Sequence, residues 1–546
     1  MASRDDFVRD ALPPRAQWPE MIFTLPDLHY PARLNAVADL LDAQVANGHG
    51  DAPCLIGSEQ SWTYTEAAER VNRIANVLVN RLGVIPGQAV LLRSANSPMM
   101  AACILAVIKA GAVAVPTMPM LRAGEIAYPL NKARARVALC DHRLAADMEA
   151  ARPLAPALER ITYFHADFHI GGPDSLESMM ATESPRFTAA DTAAEDICLI
   201  AFTSGTTGEP KGAMHAHRDL LAVCDSYGKH VLKPNARDRF IGSPPLAFSF
   251  GLGGLLLFPL RAGAATILLE RAGPDDLLDA IPRLGATICF TAPTAYRAIL
   301  GKLAAARANG ADFSHLRACI SAGEHLPRAT FEAWRAATGL TMMDGIGSTE
   351  MLHIFIGSPA EDAKPGSTGT VVPGYEARII DDAGDPVPDN TVGRLAVRGP
   401  TGCRYMADPR QTIYVQNGWN ITGDSFLRDP DGHFWYQARN DDMIVSAGYN
   451  IAGPEVETVL LTHEAVAECA VVGMADPARG MIVTAVIVLR PGFSGDAALT
   501  ETLQNHVKAT IAPYKYPRAI HYREALPKTP TGKLQRFLLR HEIAKP

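Results

Sequence analysis

The chain has 546 residues, of which 48% are hydrophobic and 20% charged, with a formal net charge of −7. This length exceeds what one simple core serves and predicts two or more units, while the composition excludes a disordered or fibrous class. The negative balance excludes whole-chain attraction to nucleic acid, so no nucleic-acid partner is expected.

In chain order, the first segment, MASRDDFVRDALPPRAQWPE, lacks the apolar core of a signal peptide. The window 65–82 has apolar residues near every third or fourth position and predicts an amphipathic helix. Residues 89–93, 98–111 and 112–116 then alternate strand, helix and strand, the pattern of α/β layers. The apolar stretches 98–116 and 251–269 are interrupted by Lys109 and by Pro259 and Arg261, which predicts buried helix and strand and no membrane span. Segments 287–291 and 318–321 read as buried strands followed by loops, where α/β enzymes place ligands. Beyond about residue 370 the texture becomes short and β-rich, with strands expected at 376–381 and 393–398, before a small closing α+β segment with strands at 466–472 and 482–489. The expected architecture is therefore α/β: a large N-terminal domain of layered subdomains over 1–440, β-rich from about 370, and a small C-terminal α+β domain over 441–546.

Nine cysteines, at 54, 103, 140, 198, 224, 289, 319, 403 and 469, are scattered and form no Cys-x-x-Cys pair. Reduced thiols in a cytoplasmic protein, with no zinc site, are expected. Between Lys508 and Lys545 the basic residues far outnumber Glu524 and Glu542. This run suits either a polyanion such as a nucleotide or CoA, or a solvated helical face.

The strongest chemical signal is Thr203-Ser204-Gly205-Thr206-Thr207-Gly208-Glu209-Pro210-Lys211-Gly212, placed after the apolar run 197–202. Small residues expose backbone N–H groups, hydroxyls donate and a lysine neutralises, which together suit phosphate in a strand-to-helix turn. Lys211 comes too late for a Walker-type P-loop. The stretch resembles the phosphate loop of the adenylate-forming superfamily, which includes acyl- and aryl-CoA ligases. The resemblance continues in order at Asp344-Gly345-Ile346-Gly347-Ser348-Thr349-Glu350, Thr422-Gly423-Asp424, Arg439-Asn440-Asp441-Asp442 and Pro527-Lys528-Thr529-Pro530-Thr531-Gly532-Lys533.

The resemblance implies an acid–thiol ligase that consumes ATP with Mg²⁺ and uses CoA as acceptor. It implies nucleotide contacts from Thr203, Ser204, Gly205, Thr206, Thr207, Gly208, Lys211, Asp344, Gly345, Thr349, Asp424 and Arg439, with Lys533, Glu350 and Thr206 catalytic. Glu350 matches the magnesium ligand, a role that one carboxylate can fill because Mg²⁺ keeps phosphate and water oxygens. Asp424, read as part of a Thr-Gly-Asp turn, has two acceptor oxygens for two ribose hydroxyls. Lys533 is a mobile cation suited to the charge that builds when a carboxylate attacks a phosphate. Asp441 matches the hinge about which the small domain turns, and Gly448 with Tyr449 lines a pantetheine tunnel.

For the acid, Tyr227, Ala247, Phe248, Gly345, Ile346, Gly347 and His353 form the expected pocket. Its glycines leave room for a planar ring, and His353 faces a carboxylate or an ortho substituent. The run Met351-Leu352-His353-Ile354-Phe355 resembles benzoate-type ligases, and the segments at 9–35 and 446–457 resemble 2-aminobenzoate:CoA ligases. The expected substrate is 2-aminobenzoate or benzoate, in a monomer or homodimer. Two other readings stay open: loading of an aryl acid onto a carrier protein, and a non-catalytic binder of acyl-adenylate. Ala438, Val445 and Asn450 depart from the wider family pattern, Val445 standing where many members carry a lysine that contacts CoA or nucleotide.

Overall fold

The computed structural model describes residues 4–166, 172–203, 209–439, 442–446, 449–476, 479–511, 513–528 and 534–544. Two large sheets dominate it. In the six-stranded sheet the order is Arg160–Phe164, Val137–Asp141, Ala89–Arg93, Val113–Thr117, Ile197–Thr203, Lys211–Ala216. The first five strands run parallel and the last is antiparallel to its neighbour. The eight-stranded sheet has six parallel central strands, from Met342–Gly347 across to Pro53–Ile56, with an antiparallel strand at each edge, Ile354–Gly357 and Ser61–Thr63. The central strands are buried along their length, as expected of parallel strands covered on both faces.

Helix Tyr64–Asn76 starts at a capping box, in which Thr63 and Glu66 satisfy each other's backbone N–H. The expected continuation to 82 is present but changes pitch, with Val77–Arg81 wound as a π turn. Helix Pro98–Lys109 is apolar all round and packs between the sheets, with Ser97 capping the Met100 N–H. Lys109 ends it fully buried, its ammonium held by Asp42 at 2.7 Å and by the Asn72 carbonyl at 2.6 Å. The 98–116 stretch is thus helix then strand, and 251–269 is helix followed by Ala265–Ile267. Among the described residues no helix is long and apolar enough to cross a membrane.

A third, five-stranded sheet joins Glu376–Ile380, Gly393–Arg398, Trp419–Arg428, Val415–Gln416 and Phe434–Arg439. A fourth, in the C-terminal part, joins Tyr449–Ile451, Ile444–Ser446, Gly480–Leu489, Val466–Asp476 and Ala519–Tyr522, with helices Gly453–Leu460 and Ala497–Thr510 on it. The molecule is mixed α/β with a large N-terminal and a small C-terminal domain.

Two local expectations are corrected. The segment after Thr203 does not lead from strand to helix. It connects an antiparallel hairpin, Thr203 opposite Lys211 and Phe202 opposite Gly212, and the helix begins only at His217. The reason is the run 212–216, which is buried and whose backbone pairs with Ile197–Thr203 before the chain turns into the helix. Thr422-Gly423-Asp424 is likewise not a surface turn but lies within the ten-residue strand Trp419–Arg428. Gly423, at φ +79°, makes a bulge there, so the register with Gly393–Arg398 slips between Arg394 and Ala396.

Candidate active site

Both motif-bearing loops occupy equivalent places. Each follows a parallel strand at its carboxyl end and turns back into the antiparallel strand of its sheet: 203–211 in the six-stranded sheet and 347–354 in the eight-stranded one. This is where an open α/β sheet receives ligands.

Residues 204–208 and Lys533, Asp441 and Gly448 lie outside the described residues, and with them the expected roles of Ser204, Gly205, Thr206, Thr207 and Gly208. The flanks of the first loop are described. Lys211 Nζ lies 3.6 Å from Glu350 Oε1 and 4.8 Å from the centre of the Tyr405 ring. The Tyr405 hydroxyl donates a hydrogen bond to the same Glu350 oxygen. Thus Lys211, near the sheet edge, and Glu350, on the turn of the other sheet, meet at one buried carboxylate.

The turn that carries Glu350 is held from behind. His215 Nε2 donates to the Thr349 carbonyl at 2.9 Å. His215 is fully buried, and that burial lowers its pKa to about 4, so the ring is neutral. Thr401 Oγ1 donates to the Met351 carbonyl at 2.7 Å, and Ser348 Oγ accepts from the Met351 N–H at 3.2 Å. Leu352 adopts φ +69° to bring the chain round.

On the other side of the same strand lies a cluster of rings. His353 is only 2% exposed, and its ring centre is 4.6 Å from Phe258, 5.5 Å from Tyr227, 5.8 Å from Phe250 and 6.4 Å from Phe290. Neither of its nitrogens makes a well-formed hydrogen bond, and the Tyr227 hydroxyl is also without a partner. Burial lowers the His353 pKa to about 3, with only a weak opposing pull from the Phe250 backbone. Burial also pushes the Tyr227 phenol up, so both groups are neutral hydrogen-bonding groups in an apolar shell. Phe250 joins the ring cluster at His353, and Phe248 stands just before helix Ser249–Leu252. Ala247 is buried beside it.

The glycines at 345 and 347 are also required within the chain itself. A Cβ at Gly347 would stand 2.6 Å from the His353 carbonyl oxygen, and one at Gly345 would stand 2.9 Å from Ile354. The hairpin partner leaves no room for side chains there, because Ile346 and Gly347 pair with Ile356 and Ile354 across an irregular register. Asp344 points into the interior, in a closed crevice with Phe331, Met342, Ser358 and Thr368. Burial raises its pKa well above the usual carboxylate range and leaves Oδ1 without a partner.

Asp424 and Arg439 face each other across strands Trp419–Arg428 and Phe434–Arg439, with Nη1 3.5 Å from Oδ1. Tyr449 begins the strand Tyr449–Ile451 of the C-terminal sheet. Among the described residues no three His, Cys, Asp or Glu side chains converge to hold a metal.

The chain matches the model of the AMP-binding enzyme family over residues 42–405, and that of the AMP-binding enzyme C-terminal domain over 455–533. The chain belongs to the AMP-binding enzyme family. As a family member it is 37% identical to a benzoate–CoA ligase of Thauera aromatica, over 95% of this chain and 98% of the relative. A 3-hydroxybenzoate–CoA ligase of an Aromatoleum strain is 32% identical over 93% of this chain and 96% of the relative. Among solved structures, an anthranilate CoA ligase in complex with anthranoyl-AMP superposes with a TM-score of 0.89 at 35% identity, covering 95% of this chain and 99% of that one. The resemblance to adenylate-forming aryl-CoA ligases thus extends over nearly the whole of this AMP-binding enzyme.

Sequence reasoning missed Tyr405 and the rings of Phe258 and Phe290. Tyr405 reaches the site through a bridge to Ala213, far away in sequence, and no local pattern announces it. For the rings a signal existed in Gly253-Gly254. A Cβ at Gly253 would stand 2.3 Å from the His353 ring, and one at Gly254 2.5 Å from Phe290.

Proposed function

We propose that the chain is an ATP-dependent aromatic acid:CoA ligase that takes 2-aminobenzoate in preference to benzoate. The aryl carboxylate attacks the α-phosphorus of ATP, forming a carboxyl–phosphate bond and releasing pyrophosphate. The CoA thiol then attacks the acyl carbon, forming the thioester and releasing AMP. The observation that carries this reading is a shared strand and turn: 342–350 borders the ring cluster at His353 and ends at the buried carboxylate of Glu350, which meets Lys211. An aryl acid in the first region would stand beside the triphosphate in the second.

The preference for an amino substituent is argued from the orphaned polar atoms. Benzoate brings no ring substituent to the Tyr227 hydroxyl or to His353, whose polar atoms make no well-formed hydrogen bond, and an unpaired buried polar group costs about 1–3 kcal/mol. An ortho amine can donate to a neutral imidazole nitrogen. A site built to hydrogen-bond a substituent rejects the analogue that lacks it far more strongly than an apolar pocket rejects a change in size.

Glu350 suits magnesium, since one buried carboxylate, completed by nucleotide and water oxygens, is a common protein share of such a site. When bound, the ion would neutralise charge on the phosphates. Lys211 would meet phosphate oxygens, and Asp424 with Arg439 would meet the ribose. In the same proposal the domain boundary falls at 440/441, Asp441 is the hinge, and rotation of the small domain first brings Lys533 to the α-phosphate and then opens a tunnel past Gly448 and Tyr449. A cytoplasmic setting accords with nine unpaired cysteines, eight of them buried.

Pyrophosphate release across 2-aminobenzoate, benzoate, 3- and 4-hydroxybenzoate, phenylacetate and short fatty acids tests the reading. The highest kcat/KM is expected for 2-aminobenzoate. A higher value for benzoate would remove the substrate assignment, and no release with any aromatic acid would remove the activity.

A further inference from the structure

Tyr405 stands at the junction of everything that meets Glu350, and no motif points to it. Its segment runs antiparallel along strand Lys211–Ala216: the Met214 N–H donates to the Arg404 carbonyl at 2.8 Å, and the Met406 N–H to the Gly212 carbonyl at 2.9 Å. The segment is thus bridged to the outer edge of the phosphate hairpin, close to Lys211. Arg404 anchors it. Its guanidinium is fully buried and makes a short charged hydrogen bond to fully buried Asp219, whose Oδ2 also accepts from the Ala216 N–H at 2.9 Å. The next residue turns the opposite way, and the Tyr405 hydroxyl donates to Glu350 Oε1 while its ring lies under the Lys211 ammonium. Gln411 Oε1 fixes the Tyr405 backbone N–H at 2.8 Å.

We infer that Tyr405 is a positioning residue that fixes the orientation of the Glu350 carboxylate and so sets how strongly magnesium strengthens ATP binding. The geometry is that of an outer partner of a metal-binding carboxylate: a hydroxyl ties one of its oxygens, Oε1, and so limits how the group can rotate. Without the hydroxyl, Oε1 is left to Lys211, 3.6 Å away, and the carboxylate is free to turn onto the ammonium. The same hydrogen bond couples the two sheets, because its donor rides on the phosphate hairpin and its acceptor on the 347–354 turn. The inference rests on the reading of Glu350 as the magnesium-facing carboxylate of an ATP site.

The test is calorimetric titration of the full chain with ATP, with and without magnesium, for wild type, Tyr405→Phe, Glu350→Gln and the double variant. Phenylalanine keeps the ring under Lys211 and removes only the hydroxyl. The expected result is a loss of about tenfold in affinity for ATP with magnesium in Tyr405→Phe, the lower end for outer partners of metal ligands. Its affinity for ATP alone and its melting temperature without nucleotide are expected to stay at the wild-type values. In the Glu350→Gln background, Tyr405→Phe is expected to add nothing, since it acts only through that carboxylate. An equal loss with and without magnesium, a loss that adds to that of Glu350→Gln, or wild-type binding by Tyr405→Phe each overturns the inference. A wild-type protein whose ATP affinity ignores magnesium overturns the reading of Glu350 itself, and that result is visible before any variant is made.

Discussion

Single residues here do work that their neighbours in sequence do not explain. Glu350 is one acid in a Ser-Thr-Glu run, yet it receives a tyrosine hydroxyl from Tyr405 and an ammonium from Lys211. Lys533 is expected to matter in one half-reaction only, because its charge opposes the anion that forms when carboxylate meets phosphate, while thiol attack on the acyl carbon builds charge elsewhere. Lys533→Ala is predicted to lower adenylate formation by at least about 100-fold, the scale of losing one preorganised donor at a developing charge. Thioester formation from supplied aryl-adenylate and CoA is predicted to stay within a few-fold of wild type. Equal loss in both half-reactions, measured by pyrophosphate release and thioester yield, would contradict the role.

At the scale of elements, the hairpins to the antiparallel strands are the decisive feature. Strands such as Ala89–Arg93 and Gly393–Arg398 were legible in the sequence to the residue, because apolar runs bounded by turn residues have few alternatives. The phosphate hairpin was not. Its return strand, Lys211–Ala216, gives no period that separates it from the helix that follows, and only pairing with Ile197–Thr203 decides the matter. The Gly423 bulge escaped for the same reason, since Thr-Gly-Asp carries turn chemistry wherever it stands. The chemistry of the motif residues was legible, whereas the ring cluster and Tyr405 were not, because they converge from separate elements. The 347–354 hairpin makes a prediction of its own. Gly347→Ala sets a Cβ against backbone, which cannot yield as a flexible side chain would. It should destabilise by about 3 kcal/mol, the upper end for overpacking. Gly301→Ala, exposed within helix Pro293–Ala308 with nothing near its Cβ, should stabilise by about 1 kcal/mol. Chemical denaturation of both variants checks the contrast, and a neutral Gly347→Ala would show that the hairpin is not as tight as described.

At the scale of the whole molecule, buried histidines tie stability to pH, with His215, His217 and His353 among them. Burial holds His215 and His217 at about 4 and His353 at about 3, against about 6.5 in an unfolded chain. Between pH 6.5 and about 4 the unfolded chain therefore binds protons that the folded chain refuses, and stability falls as the pH falls. Above pH 6.5 these groups contribute no slope. The melting temperature should thus fall as pH is lowered from 6.5 toward 4, and His217→Gln, away from the site, should flatten that fall. A flat profile through this window would contradict the neutral, buried assignment. Function also belongs to this scale, because the parts that meet at Glu350 come from two sheets and the proposed catalytic cation comes from a third unit. The most direct measurement is mass-spectrometric detection of the enzyme-bound product formed from 2-aminobenzoate and ATP with magnesium but without CoA, followed by addition of CoA. The account predicts 2-aminobenzoyl-AMP with an equal amount of pyrophosphate, converted to 2-aminobenzoyl-CoA and AMP when the thiol arrives. Thioester appearing with ADP and phosphate, or no adenylate before CoA is added, would contradict it.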